Sequence, residues 1–117
     1  EEEKKKDCFE VALKYVEKSR YVEAMLLFIT SGEYHPALFC LVKLRLIIDA
    51  YVIKAFLLKK KMLREVKGQK ALSIPNLVPL KKLCQTIDAQ FSSLLMRNNI
   101  DAHKFKLTVK PRALSNY

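Results

Sequence analysis

The chain has 117 residues, of which half are hydrophobic and 29% are charged, and its formal net charge is +10. This length suits a single domain over residues 1–117, and the balance of apolar and charged residues excludes a disordered chain. Two glycines and four prolines are too few to punctuate an all-β fold. The composition, rich in leucine, lysine and alanine, therefore predicts an all-α fold.

The positive charge is unevenly distributed along the chain. Residues 1–36 have a net charge of −2, whereas residues 37–117 have a net charge of +12. Because lysine and arginine attract phosphates, this asymmetry favours a nucleotide or RNA as the partner; a solubilising surface is the alternative. The side chains expected to contact phosphate are Lys59, Lys60, Lys61, Arg64, Lys67, Lys104, Lys106 and Arg112.

The cysteines and histidines of the chain argue against a metal site. Cys8, Cys40 and Cys84 are far apart, no CxxC pair exists, and there are two histidines. We therefore expect free, buried thiols in a reducing, cytoplasmic compartment, with no metal and no other cofactor.

The first predicted element is one long amphipathic helix over about residues 7–31, in which apolar residues recur at helical spacing. The run Lys18-Ser19-Arg20 is its weak point. Gly32 is expected to end this helix, and Pro36 suits the first turn of the next one. His35, beside that proline, is expected to be a turn residue.

The second predicted helix spans about residues 36–62 and is mostly apolar. From residue 37 to residue 58, 18 of 22 side chains are apolar, and the exceptions are Lys43, Arg45, Asp49 and Lys54. These charges make a membrane span costly, so we expect no membrane association. Arg45 and Asp49 have the i,i+4 spacing of a helical ion pair.

This second helix would be apolar on two separate faces, and both need cover. The rest of a short chain can cover one face, so we expect a second copy to cover the other through a two-fold interface. A helix wrapped completely within a monomer is the alternative. The residues expected at the dimer interface are Phe39, Val42, Leu46, Ile53 and Leu57.

The last predicted elements are a basic connector and a third helix. The connector covers residues 63–76, and the helix covers about residues 77–97. Asn98 and Asn99 are expected to interrupt that helix, because asparagine tolerates left-handed backbone geometry. We recognise no internal repeat in the sequence.

Several segments of the chain resemble the HEPN domain family. They are residues 21–27 (YVEAMLL), 31–39 (SGEYHPALF), 53–58 (IKAFLL) and 76–80 (NLVPL). The resemblance implies an antiparallel four-helix bundle of the up-and-down type that dimerises through its long second helix. Many members are metal-independent RNases, and others accompany minimal nucleotidyltransferases in prokaryotic two-component modules. It thus implies a homodimer that acts on or binds nucleotides or RNA, in a toxin–antitoxin type of module, with a nucleotidyltransferase as a partner.

Catalytic members of that family carry an arginine, often followed by asparagine, and a histidine after four to six further residues. This chain has Arg97, Asn98 and His103 in that arrangement, with five residues between arginine and histidine. A histidine can exchange a proton with a ribose hydroxyl, an arginine can hold the phosphate, and Asn98 could orient either group. In an unbroken helix Arg97 and His103 would lie about 120° apart, so the pairing needs a break between them. A non-catalytic binding module and a purely structural oligomerisation domain are the alternatives.

Overall fold

The computed structural model describes residues 2–101, and within this range the chain forms helices and no strand. The helices are α1 (Glu2–Glu17), α2 (Tyr21–Thr30), α3 (Tyr34–Lys43), α4 (Ile47–Lys59), α5 (Gly68–Leu72) and α6 (Leu80–Arg97). The all-α prediction is confirmed. In this part of the chain no helix combines the length and the apolar character needed to span a membrane.

Both long helices predicted from the sequence are wrong, because each is two shorter helices. The first breaks at residues 18–20, its expected weak point, and the second breaks at residues 44–46. The second break was not predicted, because Leu44 and Leu46, on either side of Arg45, continue the apolar pattern. The described residues thus contain six helices rather than four, and the single long helix expected to form a dimer does not exist. The bundle type and the dimer stay predictions.

Helices α1, α2, α3, α4 and α6 end in the same hydrogen-bonded turn. In the first of these turns the Ser19 N–H donates to the Val16 carbonyl, and the Arg20 N–H donates to the Tyr15 carbonyl. This pattern is the Schellman motif, which needs a left-handed residue at its centre. The left-handed residues of the five turns are Ser19, Gly32, Arg45, Lys61 and Asn99.

The first three of these turns are evenly spaced along the chain and reveal an internal repeat that was not predicted from the sequence. The helices that follow them begin at Tyr21, Tyr34 and Ile47. The fourth residue of each helix is a buried alanine, namely Ala24, Ala37 or Ala50. Because alanine is small, neighbouring backbones can approach closely at this position. The chain is therefore built from short helical units with a common turn and a common point of close packing.

The core runs from α1 to α6 without interruption. In α1 the ring of Phe9 lies 5.6 Å from the ring of Phe28 in α2, measured between centroids. Towards the other end, Tyr51 of α4 stacks on Phe91 of α6 at 3.9 Å, with 7° between the ring planes. Helix α2 packs on both α1 and α3, and α6 packs on both α3 and α4. Helix α6 therefore fixes the position of α4.

Candidate functional site

The residues of the expected catalytic set lie at and beyond the end of α6. Arg97 is the last residue of that helix and is exposed. The side chain of Asn98 donates from Nδ2 to the Leu94 carbonyl at 2.8 Å, and Asn99 is left-handed with φ 57°. The predicted interruption at these asparagines is confirmed. His103 lies outside the described residues, so its pairing with Arg97 stays a prediction.

The expected phosphate contacts divide into two groups. Five of them are exposed side chains at the end of α4 and in the connector that follows, namely Lys59, Lys60, Lys61, Arg64 and Lys67. The other three, Lys104, Lys106 and Arg112, lie outside the described residues. Lys60 places its Nζ 5.9 Å from the centre of the Phe56 ring. The lysines thus border an aromatic side chain that is itself exposed.

The expected dimer-interface residues do not form one exposed face. The break between α3 and α4 divides them between two helices and the turn. Phe39 and Leu57 are buried in the core, whereas Val42 and Ile53 are half-buried. Of this set, Leu46 alone is exposed. The interface expected from a continuous helix therefore has no counterpart in the monomer.

A different apolar surface is exposed along α4. It consists of Leu46, Ile48, Val52 and Phe56, each between 41% and 56% exposed, and we call it the α4 face. The last three residues follow one another at intervals of four, so they form one ridge along the helix. The opposite side of α4 is buried. A helix with two apolar faces normally has both covered, and α4 has one covered.

A groove lies beside this face, between the start of α4 and the C-terminal half of α6. Its volume is about 760 Å³. Leu46 and Ile48 of the α4 face form part of its lining, together with Arg45, Asp49 and Arg97. The groove and the α4 face are therefore one continuous surface.

Cations stand at both ends of this surface. Arg45 and Arg97 line the groove at one end, and Lys59 and Lys60 follow Phe56 at the other. None of these four has an ion-pair partner within residues 2–101. Asp49 is the acidic residue of the groove lining. At 1.5 Å per residue, the 12 steps from Ile47 to Lys59, the two ends of α4, correspond to about 18 Å along the helix axis.

A buried ion pair lies on the opposite side of α4. Lys54 is 3% exposed and places its Nζ 2.9 Å from Oδ1 of Asp88 in α6. The same Nζ lies 5.0 Å from the ring centre of Tyr51. The ion pair predicted between Arg45 and Asp49 is wrong, because Arg45 is in the turn before α4 and makes no ion pair with described residues. The pair that forms instead joins α4 to α6 and holds the α4 face in place.

His35 lies in the first turn of α3 and is structural. The Val66 N–H donates to His35 Nδ1 at 3.2 Å, so Nε2 carries the proton and donates to the Val78 carbonyl at 2.8 Å. Burial lowers the pKa of His35 and keeps the ring neutral. Nearby, the Glu65 carboxylate accepts a hydrogen bond from the Leu80 N–H at 3.0 Å, at the start of α6. These contacts fix the connector against α3 and α6.

The thiols are free, as predicted, and two of them are buried. Burial raises the pKa of Cys40 to about 12 and that of Cys84 to about 11. A thiol with so high a pKa is a poor nucleophile at neutral pH. Cys8 is half-buried rather than buried. Among the described residues no group of His, Cys, Asp and Glu could hold a metal ion. The cytoplasmic location stays a prediction.

Comparisons of the chain with models of protein families, with curated proteins and with solved structures give no match. The resemblance to the HEPN family therefore stays a prediction.

Proposed function

We propose that this chain is a non-catalytic, protein-binding module built from short helical repeats, with the α4 face as its binding surface. The contrast between α3 and α4 supports the proposal most strongly. His35 and Phe39 of α3 are buried, whereas Ile48 and Val52, which occupy the equivalent positions of the next unit, are exposed.

In stacked helical repeats the apolar side of a unit is usually covered by a neighbouring element. On α4 this side is open and, unlike the exposed Val22 and Leu26 of α2, it continues into a groove lined by Arg45 and Arg97. The α4 face is therefore an apolar surface of the repeat that no element of the described residues covers.

The chemistry of the described polar groups is consistent with a binding role. Both ring nitrogens of His35 are engaged by backbone groups. The Cys40 and Cys84 thiols are kept protonated by burial. These groups hold the fold together, and they do not face the groove. A ridge of apolar residues at intervals of four is, in contrast, a surface on which helices are commonly recognised.

The experiment that tests this proposal compares wild-type protein with the Val52→Gln/Phe56→Gln variant as bait for cell proteins. Glutamine leaves the net charge unchanged and favours a helix, while it removes the apolar side chains. The matched control is Val22→Gln/Leu26→Gln, which removes apolar residues of similar exposure from α2. Val22 and Leu26 stand two repeat units before Ile48 and Val52.

We expect wild type and the α2 variant to capture a protein that the α4 variant does not capture, after nuclease treatment. The captured protein, once purified, should bind the wild-type chain directly and in a fixed ratio. Equal capture by all three baits, or capture that disappears with nuclease, would contradict the proposal.

Polyanion binding is a second candidate function, and Arg45 and Arg97 favour it because they line one groove. In this reading the chain is a HEPN-type homodimer that binds nucleotides or RNA, with a minimal nucleotidyltransferase as a partner. Its affinity for RNA should fall steeply with salt, in proportion to the number of phosphates contacted. Replacing both arginines with glutamine should make the affinity for RNA less dependent on salt. An unchanged salt dependence would show that RNA binds elsewhere.

The catalytic form of this second candidate is a metal-independent, toxin-type endoribonuclease that uses Arg97 and His103. It predicts cleavage of a mixed RNA pool in the presence of EDTA, and loss of that cleavage in His103→Ala. No cleavage by either protein would argue against it. A purely structural oligomerisation domain is the remaining alternative. It predicts a stable oligomer in sedimentation experiments and no RNA binding.

A further inference from the structure

We infer that the partner on the α4 face is an amphipathic helix with acidic residues at both ends of its contact. This inference rests on the proposed function and names the kind of partner that this face fits. It is carried by three features of the surface, namely the spacing of its apolar residues, the way in which the equivalent residues of α3 are covered, and the placement of its charges.

The spacing of the apolar residues suits a helix. Ile48, Val52 and Phe56 span about 12 Å along the axis of α4, at intervals of four residues. Ridges of this kind pack into the grooves between the side-chain rows of another helix. The neighbouring groove, which starts at Leu46, widens the surface on the side of α6. A helix of three to four turns would cover this surface.

The chain itself provides a precedent for this mode of packing. Phe39 of α3 stands one repeat unit before Val52 and is buried. Helix α6 packs on α3, and Phe39 lies with Leu83 of α6 around a shared cavity. On α3 this repeat position is therefore covered by helix α6, whereas the equivalent residue of α4, Val52, is exposed.

The charges of the surface select an acidic partner. Four cations, Arg45, Arg97, Lys59 and Lys60, border it, against the single carboxylate of Asp49. Complementary charges at the rim steer association and fix the orientation of the partner. A second copy of the chain would instead bring together two molecules of net charge +10, and their repulsion opposes such a dimer.

The apolar centre of the surface favours a peptide helix over RNA. Between residues 50 and 58 of α4, the exposed side chains are Val52 and Phe56, and the buried Lys54 is paired with Asp88. A phosphate backbone needs cations along its length. Here the cations stand at the ends, with apolar side chains between them.

The test is a selection from a displayed library of 20-residue amphipathic helices. The library fixes a stripe of leucines at intervals of four and varies the polar positions among Glu, Lys, Gln and Ser. Selection is carried out in parallel on wild type, on Val52→Gln/Phe56→Gln and on the control Val22→Gln/Leu26→Gln. We expect wild type and the control to enrich peptides with glutamates near both ends, and the α4 variant to lose them.

Charge variants then test the role of the rim directly. Replacing Arg45 and Lys59 with glutamine should weaken binding of a selected acidic peptide about three- to tenfold at low salt, because each exposed ion pair contributes modestly. The same peptide with its glutamates changed to lysine should bind wild type more weakly than the acidic form. Both differences should shrink as salt is added.

Three outcomes would overturn the inference. Selected peptides that depend on Val52 and Phe56 but carry no excess of acid would refute the acidic partner while leaving the protein-binding function intact. Failure to enrich any peptide in an α4-dependent way would refute a helix as the partner, and the capture experiment with cell proteins would decide the function separately. Dimerisation, or RNA binding, that is lost in Val52→Gln/Phe56→Gln would assign the face to a second copy or to RNA.

Discussion

Helices α3 and α4 are successive units of the same repeat and end in the same turn, yet they are covered differently. On α3 the ring of His35 is bonded to two other segments, and Phe39 is buried. On α4 the equivalent residues, Ile48 and Val52, are exposed. The difference arises because the connector and α6 pack over α3, whereas α6 reaches α4 from the side of Lys54.

The repeat therefore fixes the local geometry of each helix but not which segments pack beside it. The buried alanines Ala37 and Ala50 occupy the same position in the two helices. Segments that are distant in the sequence determine which outward-facing side chains of each helix are covered. The exposed apolar residues of α4 have no such segment over them in the described residues. The adjoining groove and the cations at both ends distinguish them from Val22 and Leu26, the equivalent exposed residues of α2.

The largest expected difference in stability is between the loss of a core phenylalanine and the loss of an exposed one. Phe28→Ala should lower the free energy of unfolding by about 3–5 kcal/mol, because the side chain is fully buried against Phe9. Phe56→Ala should lower it by only about 1 kcal/mol, because about half of that side chain is exposed. Guanidinium unfolding followed by circular dichroism measures both. A loss of several kcal/mol in Phe56→Ala would show that the α4 face is already covered in the free protein.

The next effect compares equivalent repeat positions on α3 and α4. His35→Ala should destabilise the fold by roughly 2–3 kcal/mol, because it leaves the Val66 N–H and the Val78 carbonyl without their partner. Ile48→Ala should cost less than about 1 kcal/mol, since the side chain is more than half exposed. The same unfolding measurement applies. Equal losses at the two positions would remove the distinction between a covered and an uncovered repeat.

The pH dependence of stability tests the structural role of His35. Its pKa in the fold is lowered from 6.5 by burial, so below that pH the unfolded chain binds more protons than the folded one. Stability should therefore be greatest above about pH 6.5 and fall as the pH decreases towards the folded-state pKa. His35→Gln should lose this dependence. A variant with the wild-type slope between pH 7 and pH 5 would show that another group is responsible.

The smallest effects concern the shared turn, in which Ser19 and Gly32 hold equivalent left-handed positions. Ser19→Gly should stabilise the protein by about 0.5–1 kcal/mol, because glycine adopts this conformation without steric cost. Gly32→Ala should destabilise it by about 1 kcal/mol through φ alone, since no atom lies within 4 Å of the added Cβ. Thermal unfolding measures both changes, and changes of the same sign would contradict a common turn.

The sequence predicted the features that depend on local chemistry. The all-α class, the end of α2 at Gly32 and the interruption after Arg97 were all confirmed. Each follows from composition or from a residue type with a known backbone preference. The free thiols were also predicted, and Cys40 and Cys84 are buried.

The features that were missed depend on contacts between distant segments or on an uncharacteristic turn residue. Serine and arginine are not typical of left-handed positions, so Ser19 and Arg45 did not predict a turn. Each of the two long predicted helices therefore combined two separate helices. The pairing of Lys54 with Asp88 joins residues far apart in the sequence, and a local pattern cannot show it. The repeat was hidden because, apart from its buried alanines, its units share few residue types.

The most direct test of the central claim is to map an acidic helical peptide from the selection onto the chain by nuclear magnetic resonance. We expect the backbone amide shifts to change along residues 45–60 and near Arg97, and to stay unchanged around Val22 and Leu26 of α2. Shift changes centred on α2, or spread evenly over the molecule, would contradict the claim that the α4 face is the binding surface.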